Sequence, residues 1–435
     1  MLKNIHFSGI IAICALLITG FQQEEETYEP IALFLTWQND PTTTMTIDWH
    51  TKPDTRPLPP SLQYKEKGSG ENWKKAPGTM HPFPYTSRTV NRVELSGLKP
   101  GTTYKFRIGP PASVYSFPQS QTYSFRTMPD RLDEPLRFAV GGDTGWSDGF
   151  RSVADAAMAY DLEFIVIGGD LAYADGGARD WRTRDGEFRF PENESKRRWV
   201  SWFNVVQDKL ITEDKRVIPM LTGIGNHEVW RGLISNHPEY EQTDEWRERL
   251  APVYYNIFAF PGQPGYAVLD FADYLSFILL DSDHTNPIEG KQALWLDQVL
   301  AERTEILHVF PIYHIASYPT VRDYDGLQQE AIRTHWGSLF EQYNLNVVFE
   351  NHDHTYKRTY PIRNGEIDPT GVVYMGDGAF GLGGRGDRMH DIEETWYLRH
   401  AAPDKHFILV TVDSEGSLFE AINKDGIIID RFPED

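Results

Sequence analysis

The sequence predicts two domains in order, an all-β sandwich followed by an α/β domain. Three observations lead to this prediction: a length of 435 residues, a strand-like texture over residues 28–128, and strands alternating with helices over residues 135–435. A chain of this length exceeds one ordinary domain. Its 40% hydrophobic and 13% aromatic residues are typical of packed globular proteins.

In the first domain, apolar residues alternate with polar ones in MTIDW (45–49) and YKFRI (104–108), and Pro, Gly and Ser mark the turns. Alternation of this kind predicts strands with one buried face. A second signal is the order of four residues, Leu98, Pro100, Thr102 and Tyr104. That order resembles the turn and tyrosine corner of fibronectin type III domains. The resemblance implies a fibronectin type III-like sandwich, for which we expect a scaffolding or packing role.

The second domain contains five apolar strand candidates with helical patterns, such as 290–304 and 327–343, between them. The strand candidates end at Val140, Ile167, Leu221, Ile312 and Phe349. The alternation predicts an α/β domain in which functional groups gather on the loops beyond the strand ends.

Each predicted strand end is followed by side chains that bind metals through oxygen or nitrogen. They are Asp143, Asp170 with Tyr173, Asn226 with His227, His314, and His352 with His354. Singly, each is a common turn, capping or packing residue. Carboxylate, amide and imidazole groups together are the ligands of iron, zinc and manganese. The joint pattern therefore predicts a metal site.

The ordered set GD, GDxxY, GNHE, an isolated histidine after a strand, and HxH resembles the calcineurin-like metallophosphoesterases. The tyrosine of GDLAY resembles their purple acid phosphatase branch, which often carries a fibronectin-like domain in front. The resemblance implies a two-sheet αββα sandwich for the second domain and a pair of metal ions bridged by Asp170. It assigns Asp143, Tyr173 and His354 to the first ion, and Asn226, His314 and His352 to the second.

The resemblance also implies cofactors and a reaction. A tyrosinate ligand favours Fe(III) at the first site, because a hard trivalent cation best compensates for the lost phenol proton. The second site accepts Zn(II), Fe(II) or Mn(II). The implied activity is hydrolysis of a small-molecule phosphate monoester by metal-bound hydroxide. His227 is expected to contact the phosphoryl oxygens or protonate the leaving group.

Residues i and i+2 of an extended segment face the same side, so His352 and His354 are expected to address one ion each. Glu228 and Asp353 are expected to orient the metal ligands. Asn351 stands where the family usually has glycine, and we expect it to adopt the left-handed backbone that a turn requires.

A second departure from the family lies after His314, where the plant enzymes carry two adjacent histidines and this chain reads IASYPTVRDYDG. Arg322 is a candidate substrate-binding replacement, with a solvated loop residue as the alternative. The insertion at 176–198 contains six arginines. It is expected to form either a rim that gathers anions or a solvated surface loop.

The formal net charge of −21 argues against nucleic-acid binding. An apolar stretch from Phe7 to Gly20 predicts a signal peptide over residues 1–20, with a retained membrane anchor as the less favoured alternative. The expected protein is exported, secreted or periplasmic, with no transmembrane span in the mature chain. The single cysteine, Cys14, lies inside that stretch. Disulfides and cysteine chemistry are therefore excluded from the mature chain, and its oligomeric state stays open.

Three functions remain open on the sequence. The first is a phosphate monoesterase, and the second is a phosphodiesterase or nucleotide pyrophosphatase that uses the same two ions. The third is a non-catalytic binding protein, in which the second domain is a relic; relics usually lose ligand residues first, and all seven positions are filled here.

Overall fold

The computed structural model describes most of the chain, in segments 30–51, 60–109, 120–175, 181–182, 188–189, 192–237, 240–376 and 378–434. The predicted signal peptide lies outside the described residues, as does most of the arginine-rich insertion. Among the helices that are described, none has the length and hydropathy needed to cross a membrane.

The first part of the chain is a sandwich of two four-stranded antiparallel sheets, with strand orders β1-β2-β6-β5 and β4-β3-β7-β8. The strands are β1 (Ala32–Thr36), β2 (Met45–Thr51), β3 (Ser61–Glu66), β4 (Lys74–Pro77), β5 (Thr79–Pro82), β6 (Thr89–Leu95), β7 (Thr103–Gly109) and β8 (Tyr123–Arg126). The tyrosine corner is present, because the Tyr104 hydroxyl accepts a hydrogen bond from the Lys99 backbone N–H at 2.9 Å. The predicted all-β sandwich is confirmed.

The second part of the chain contains two large sheets and two small hairpins. The strands are β9 (Leu136–Gly141), β10 (Phe164–Ile167), β11 (Trp181–Arg182), β12 (Phe188–Arg189), β13 (Met220–Thr222), β14 (Ala267–Phe271), β15 (Leu275–Leu279), β16 (His308–Ile315), β17 (Val347–Asn351), β18 (Tyr356–Thr359), β19 (Ile362–Arg363), β20 (Glu366–Ile367), β21 (Val373–Gly376), β22 (Leu398–Ala402), β23 (His406–Val412), β24 (Ser417–Asn423) and β25 (Ile428–Phe432). The six-stranded sheet has the order β13-β10-β9-β23-β24-β25, and the seven-stranded sheet has the order β14-β15-β16-β17-β21-β18-β22.

Helices cover the outer face of each sheet. They are α1 (Asp148–Ala157), α2 (Glu192–Lys209), α3 (Asp244–Leu250), α4 (Pro252–Ile257), α5 (Lys291–Ala301), α6 (Leu327–Ile332) and α7 (Ser338–Gln342). A π-helical turn over Arg333–Gly337 joins α6 to α7, where the sequence predicts one continuous helical pattern. Short 3₁₀ turns occupy Ile234–Asn236 and Gly386–Arg388.

The strands of both sheets alternate between an inner face, where the sheets meet, and an outer face under the helices. In β9, Phe138 and Val140 pack between the sheets, whereas Ala139 packs under α1 and α2. In β16, Phe310 points inward and Tyr313 packs against α6 and α7. This period of two buries both faces of each sheet and produces the predicted αββα sandwich.

Each large sheet contains a set of parallel strands, which are β9, β10 and β13 in one sheet and β15, β16, β17 and β21 in the other. The predicted metal ligands lie at or beyond the carboxyl ends of strands in these two sets. Two strands run past their predicted ends. Strand β16 continues from Ile312 to Ile315 and β17 continues from Phe349 to Asn351, so His314 lies inside a strand and not in a loop.

The β-sandwich packs on the α/β part through aromatic side chains. Phe34 and His50 lie 5.2 and 4.5 Å from Phe203 of α2, measured between ring centroids. Trp37 contacts Phe164 of β10 at 5.8 Å. Because these residues are buried, the cores of the two parts are continuous across their contact.

His50 is an imidazole buried among phenylalanines, and within the described part of the chain neither of its ring nitrogens has a hydrogen-bond partner. Burial, reinforced by Arg88 and His81, lowers the pKa of His50 to about 3. We expect His50→Phe to raise the free energy of unfolding by about 1–3 kcal/mol, because it removes an unsatisfied buried polar group. Urea unfolding at neutral pH measures this change.

The same substitution is expected to reduce acid sensitivity. With a folded pKa of about 3 and an unfolded value near 6.5, the stabilisation from neutral His50 is complete above about pH 6.5. It is lost as the pH falls towards the folded value, because the unfolded chain gains a proton that the folded chain excludes. His335→Phe, at a surface position, is the control. An unchanged slope of stability against pH in His50→Phe contradicts this prediction.

Candidate metal centre

The metal ligands predicted from the sequence come together at the carboxyl ends of five strands, which belong to both large sheets. Asp143 follows β9, Asp170 and Tyr173 follow β10, Asn226 follows β13, His314 lies near the end of β16, and His352 and His354 follow β17. His314 continues the inward parity of Phe310 and Ile312 in β16, so its imidazole points between the sheets. Asp143, Asp170 and His314 are fully buried or nearly so.

One cluster is formed by Asp143, Tyr173 and His354. The Tyr173 hydroxyl lies 2.7 Å from Asp143 Oδ1 and 2.9 Å from His354 Nε2. His354 Nε2 in turn lies 2.9 Å from Asp143 Oδ1. Three potential ligand atoms therefore form one small triangle.

A second cluster is formed by Asp170, Asn226, His314 and His352. His314 Nε2 lies 3.2 Å from Asp170 Oδ2, 3.2 Å from Asn226 Oδ1 and 3.0 Å from His352 Nδ1. Whether the His314 ring is neutral or protonated, its Nε2 carries at most one hydrogen, which can point at only one of these three atoms. Several lone pairs therefore face one another. A bound cation removes that conflict, and the carboxylate, amide and imidazole donors suit zinc, iron or manganese.

The acids and histidines perturb one another strongly. Burial raises the pKa of Asp170, but His314 and His227 outweigh it and hold that pKa well below its ordinary value. Burial likewise opposes the charged form of His314, yet Asp170 and Asp143 raise its pKa to about 9. Burial, with Asp143 and Asp170, raises the pKa of Tyr173 well above its ordinary value. Together these shifts describe a negative, water-poor pocket that favours cations.

The HDH segment is a turn and not the extended segment expected from the sequence. His352 and His354 have φ angles of 85° and 62°, in the left-handed region, and the expectation of an extended i, i+2 pair is wrong. The two imidazoles nevertheless point to different clusters. In contrast to these histidines, Asn351 does not adopt the left-handed conformation expected for it. It is the last residue of β17, and its side-chain amide donates a hydrogen bond to the Tyr313 carbonyl at 2.9 Å.

Two glycines make room around this turn. A Cβ at Gly142 would lie 2.4 Å from the Asn351 side-chain oxygen, so the larger Asn351 is accommodated by the missing side chain opposite it. A Cβ at Gly378, whose φ is +70°, would lie 1.9 Å from Asp143 Oδ2 and 2.5 Å from the His352 nitrogen. Backbone approaches so closely here that no other residue fits.

His227 lies beside both clusters. Its backbone N–H donates to Asp170 Oδ1 at 2.7 Å, and its Nε2 lies 3.9 Å from Asp170 Oδ2. Nδ1 is hydrogen-bonded to the Asp175 carboxylate, and the ring lies 4.1 Å from that of Tyr173. Burial lowers the pKa of His227, but Asp170 and Asp175 raise it above its ordinary value overall. Asp175 was missed from the sequence, although it stands inside the GDLAYADG motif.

Glu228 and Asp353 hold backbone and not the ligand side chains. Glu228 accepts the N–H groups of Asp170 at 2.7 Å, Leu171 at 2.8 Å and Gly225 at 2.9 Å, and thereby joins the loops after β10 and β13. Asp353 accepts the Val321 N–H at 2.7 Å. Both acids therefore act on the loops that carry the proposed ligands, and their role in orienting those ligands stays a prediction.

Arg322 is located at the edge of a cavity that Asn226 and His352 also line. Its Nη1 donates to the His352 carbonyl at 2.8 Å and to Asp353 Oδ1 at 2.5 Å. Among the residues described, no other side-chain hydrogen bond of Arg322 exists. The guanidinium is therefore anchored at one nitrogen, with its side chain 30% exposed at the cavity.

A buried ion pair behind the HDH turn was also missed from the sequence. Lys357 is hydrogen-bonded to Glu350, and both side chains are fully buried. Glu350 also accepts the Tyr313 hydroxyl at 2.6 Å and the Ser317 N–H at 2.7 Å. The network ties β17 and β18 to the segment that follows His314. Charges within the run VVFENHDHTYKR were its signal in the sequence.

Of the six arginines in the insertion, only Arg197 and Arg198 have described side chains. Arg198 donates to the Tyr173 carbonyl, and the Arg197 guanidinium lies 5.0 Å from the Trp146 ring centroid. Both sit close to the first cluster. The predicted rim of the other arginines lies outside the residues with described side chains.

Comparison with known proteins finds similarity to purple acid phosphatases. Residues 30–127 match the family model described as purple acid phosphatase, N-terminal domain. Purple acid phosphatase 13 of Arabidopsis thaliana is 26% identical over 348 residues, which cover 74% of this chain and 58% of that protein. Probable purple acid phosphatase 20 of the same plant is 24% identical over 396 residues, with coverages of 85% and 83%.

The fold agrees with a solved structure as well. A purple acid phosphatase isolated from yellow lupin (Lupinus luteus) seeds superposes with a TM-score of 0.71 at 16% identity, over 92% of this chain and 73% of that one. This likeness shows the fold alone. The chain is therefore similar to purple acid phosphatases over most of its length, and residues 30–127 match the N-terminal domain of that family.

Proposed function

We propose that this protein hydrolyses phosphate monoesters with a pair of metal ions held by seven side chains. The observation that carries the proposal is the meeting of two ligand clusters, Asp143/Tyr173/His354 and Asp170/Asn226/His314/His352, at the carboxyl ends of strands from both sheets. In this proposal Asp143, Tyr173 and His354 would hold Fe(III), Asn226, His314 and His352 would hold Zn(II), Fe(II) or Mn(II), and Asp170 would serve both ions. Bound ions would neutralise the phosphoryl oxygens and supply a hydroxide nucleophile.

The chain's own residues complete the reaction. His227 is held with Nδ1 on Asp175 and Nε2 towards Asp170, beside the proposed metal ligands. We assign it the role of proton donor to the leaving oxygen. Arg322, anchored by Asp353 and the His352 carbonyl, supplies its remaining N–H groups to a phosphoryl oxygen.

The proposal includes the two-domain division at 28–128 and 135–435, with a β-sandwich that scaffolds the catalytic domain. It also includes export, which the Phe7–Gly20 stretch supports. N-terminal sequencing of the protein recovered outside the cytoplasm tests export. A mature protein that retains residues 1–20 contradicts it.

The defining measurement compares initial rates on an aryl phosphate monoester and on the matching diester, with iron and zinc contents recorded on the same sample. We expect the monoester to be preferred. A preferred diester would move the protein to the phosphodiesterase alternative. No hydrolysis of either ester, with two metals bound per chain, would leave the binding-protein alternative.

Arg322→Met is expected to raise KM for the monoester, because it removes the N–H groups proposed to bind a phosphoryl oxygen, while metal content is retained.

Asp170→Ala is expected to abolish metal binding and activity together, because Asp170 is the one carboxylate proposed to serve both ions. Metal analysis and the monoester assay measure the two effects. Asp155→Ala removes an exposed carboxylate of α1 and is the matched control. Normal turnover by the Asp170 variant would defeat the assignment of the site.

His227→Ala is expected to retain both metals and the visible absorption of an Fe(III)–tyrosinate pair while kcat falls by about 10²–10⁴-fold. Asp175→Asn keeps the shape of the acid but weakens its hold on the His227 ring, and should lower kcat by about 10–100-fold with KM little changed. Loss of metal from either variant would assign the residue to the metal site instead.

A further inference from the structure

Two neighbouring cavities, together called the leaving-group groove, lie beside the proposed metal centre. Its inner part, about 450 Å³, has Asn226 and His352 in its wall. Its outer part, about 430 Å³, shares Gln328 with the inner part. Neighbouring residues continue the wall from one part to the other, since Leu233 lines the inner part and Ile234 the outer. The inner part thus adjoins two of the proposed metal ligands, and the outer part adjoins the inner part at Gln328.

The outer part of this leaving-group groove is largely apolar. Its walls include Ile234, Pro287, Ile288, Leu327 and Ala331. Leu327, at the start of α6, is 79% exposed, the highest value among the large apolar side chains of the described residues. One exposed leucine is ordinary. An exposed leucine in the wall of an apolar recess is a place where a ligand would gain by covering it.

The charges in the outer part are negative. Asp283 and Glu289 line it, and no lysine or arginine of the described residues does. Asp283 accepts a hydrogen bond from Gln328 Nε2 at 3.0 Å. Burial raises the pKa of Asp283 to about 6, so the group is ionised at neutral pH. An anionic substituent placed here would meet a carboxylate in poorly hydrated surroundings.

We propose that this groove holds the leaving group of the substrate and selects an uncharged apolar one, aryl or alkyl, over an anionic one of the same size. The proposal rests on the phosphatase function proposed above. It names Ile234 and Leu327 as residues that favour apolar chains and Asp283 as the residue that rejects anions. Covering apolar surface is worth up to about fourfold in kcat/KM for each methylene buried.

The test uses n-alkyl phosphates from ethyl to octyl, whose leaving groups have nearly the same reactivity, with the metal-loaded enzyme at neutral pH. We expect kcat/KM to rise with chain length and then level off when the groove is filled. Naphthyl phosphate should exceed a carboxylated naphthyl phosphate about tenfold or more. Equal kcat/KM across the alkyl series, or equal rates on the two naphthyl esters, would overturn the proposal.

Three variants locate the effect. Leu327→Ser and Ile234→Ser should lower the octyl-to-ethyl ratio of kcat/KM several-fold each. Asp283→Asn should reduce the preference for the uncharged naphthyl ester, and asparagine tolerates the φ of 74° at this position. Leu294→Ser changes a leucine that is 73% exposed on α5 outside the groove lining, and should leave both ratios unchanged.

Failure of the groove and failure of the phosphatase function give different results. Hydrolysis of ethyl phosphate without dependence on chain length rejects the groove alone. Absence of hydrolysis for every ester, with two metals bound per chain, rejects the phosphatase function and the groove with it. Alkylphosphonates, which cannot be hydrolysed in this way, supply an independent measurement: their Kd should fall with chain length in the wild-type enzyme and less steeply in Leu327→Ser.

Discussion

The metal centre depends on backbone that is held in the left-handed region at the ends of three strands. Asp143, Asp170, Tyr173, His352 and His354 have φ angles of 57°, 53°, 54°, 85° and 62°. Left-handed backbone costs a residue other than glycine about 1 kcal/mol or more, so five such residues together persist only where their surroundings determine them. At each of these positions the left-handed conformation turns the chain, so that the side chain of the proposed ligand points towards the site.

Buried carboxylates hold these turns in place. Glu228 takes up three N–H groups from the loops after β10 and β13, so the left-handed Asp170 is fastened to the loop that carries Asn226. Asp143 accepts the His352 N–H at 2.9 Å, and the loops after β9 and β17 are joined through it. Acids that receive several backbone N–H groups stabilise their surroundings more than single neutral hydrogen bonds do. Part of the acidic excess of this chain is therefore structural.

The sequence predicts where the site residues lie along the fold because they follow strands. Strands can be recognised in the sequence by the pattern of their apolar residues. The inward direction of His314 follows from the same period of two that buries Phe310 and Ile312. What alternation cannot predict is the backbone beyond the strand. The left-handed His352 needs the space that Gly378 leaves, and Gly378 is close in space and distant in sequence. The pairing of Arg322 with Asp353 depends on the same kind of long-range approach.

The β-sandwich is connected to the centre through α2. Phe34 and His50 of the sandwich pack on Phe203 of that helix, and the adjacent Trp202 donates its indole N–H to the Thr144 hydroxyl at 2.9 Å. That hydroxyl donates to the Leu171 carbonyl at 2.9 Å. Thr144 and Leu171 directly follow Asp143 and Asp170, so one packed path joins the first domain to both carboxylates. Because packed interiors transmit strain, a displacement of α2 on the sandwich would be felt at both ligand loops.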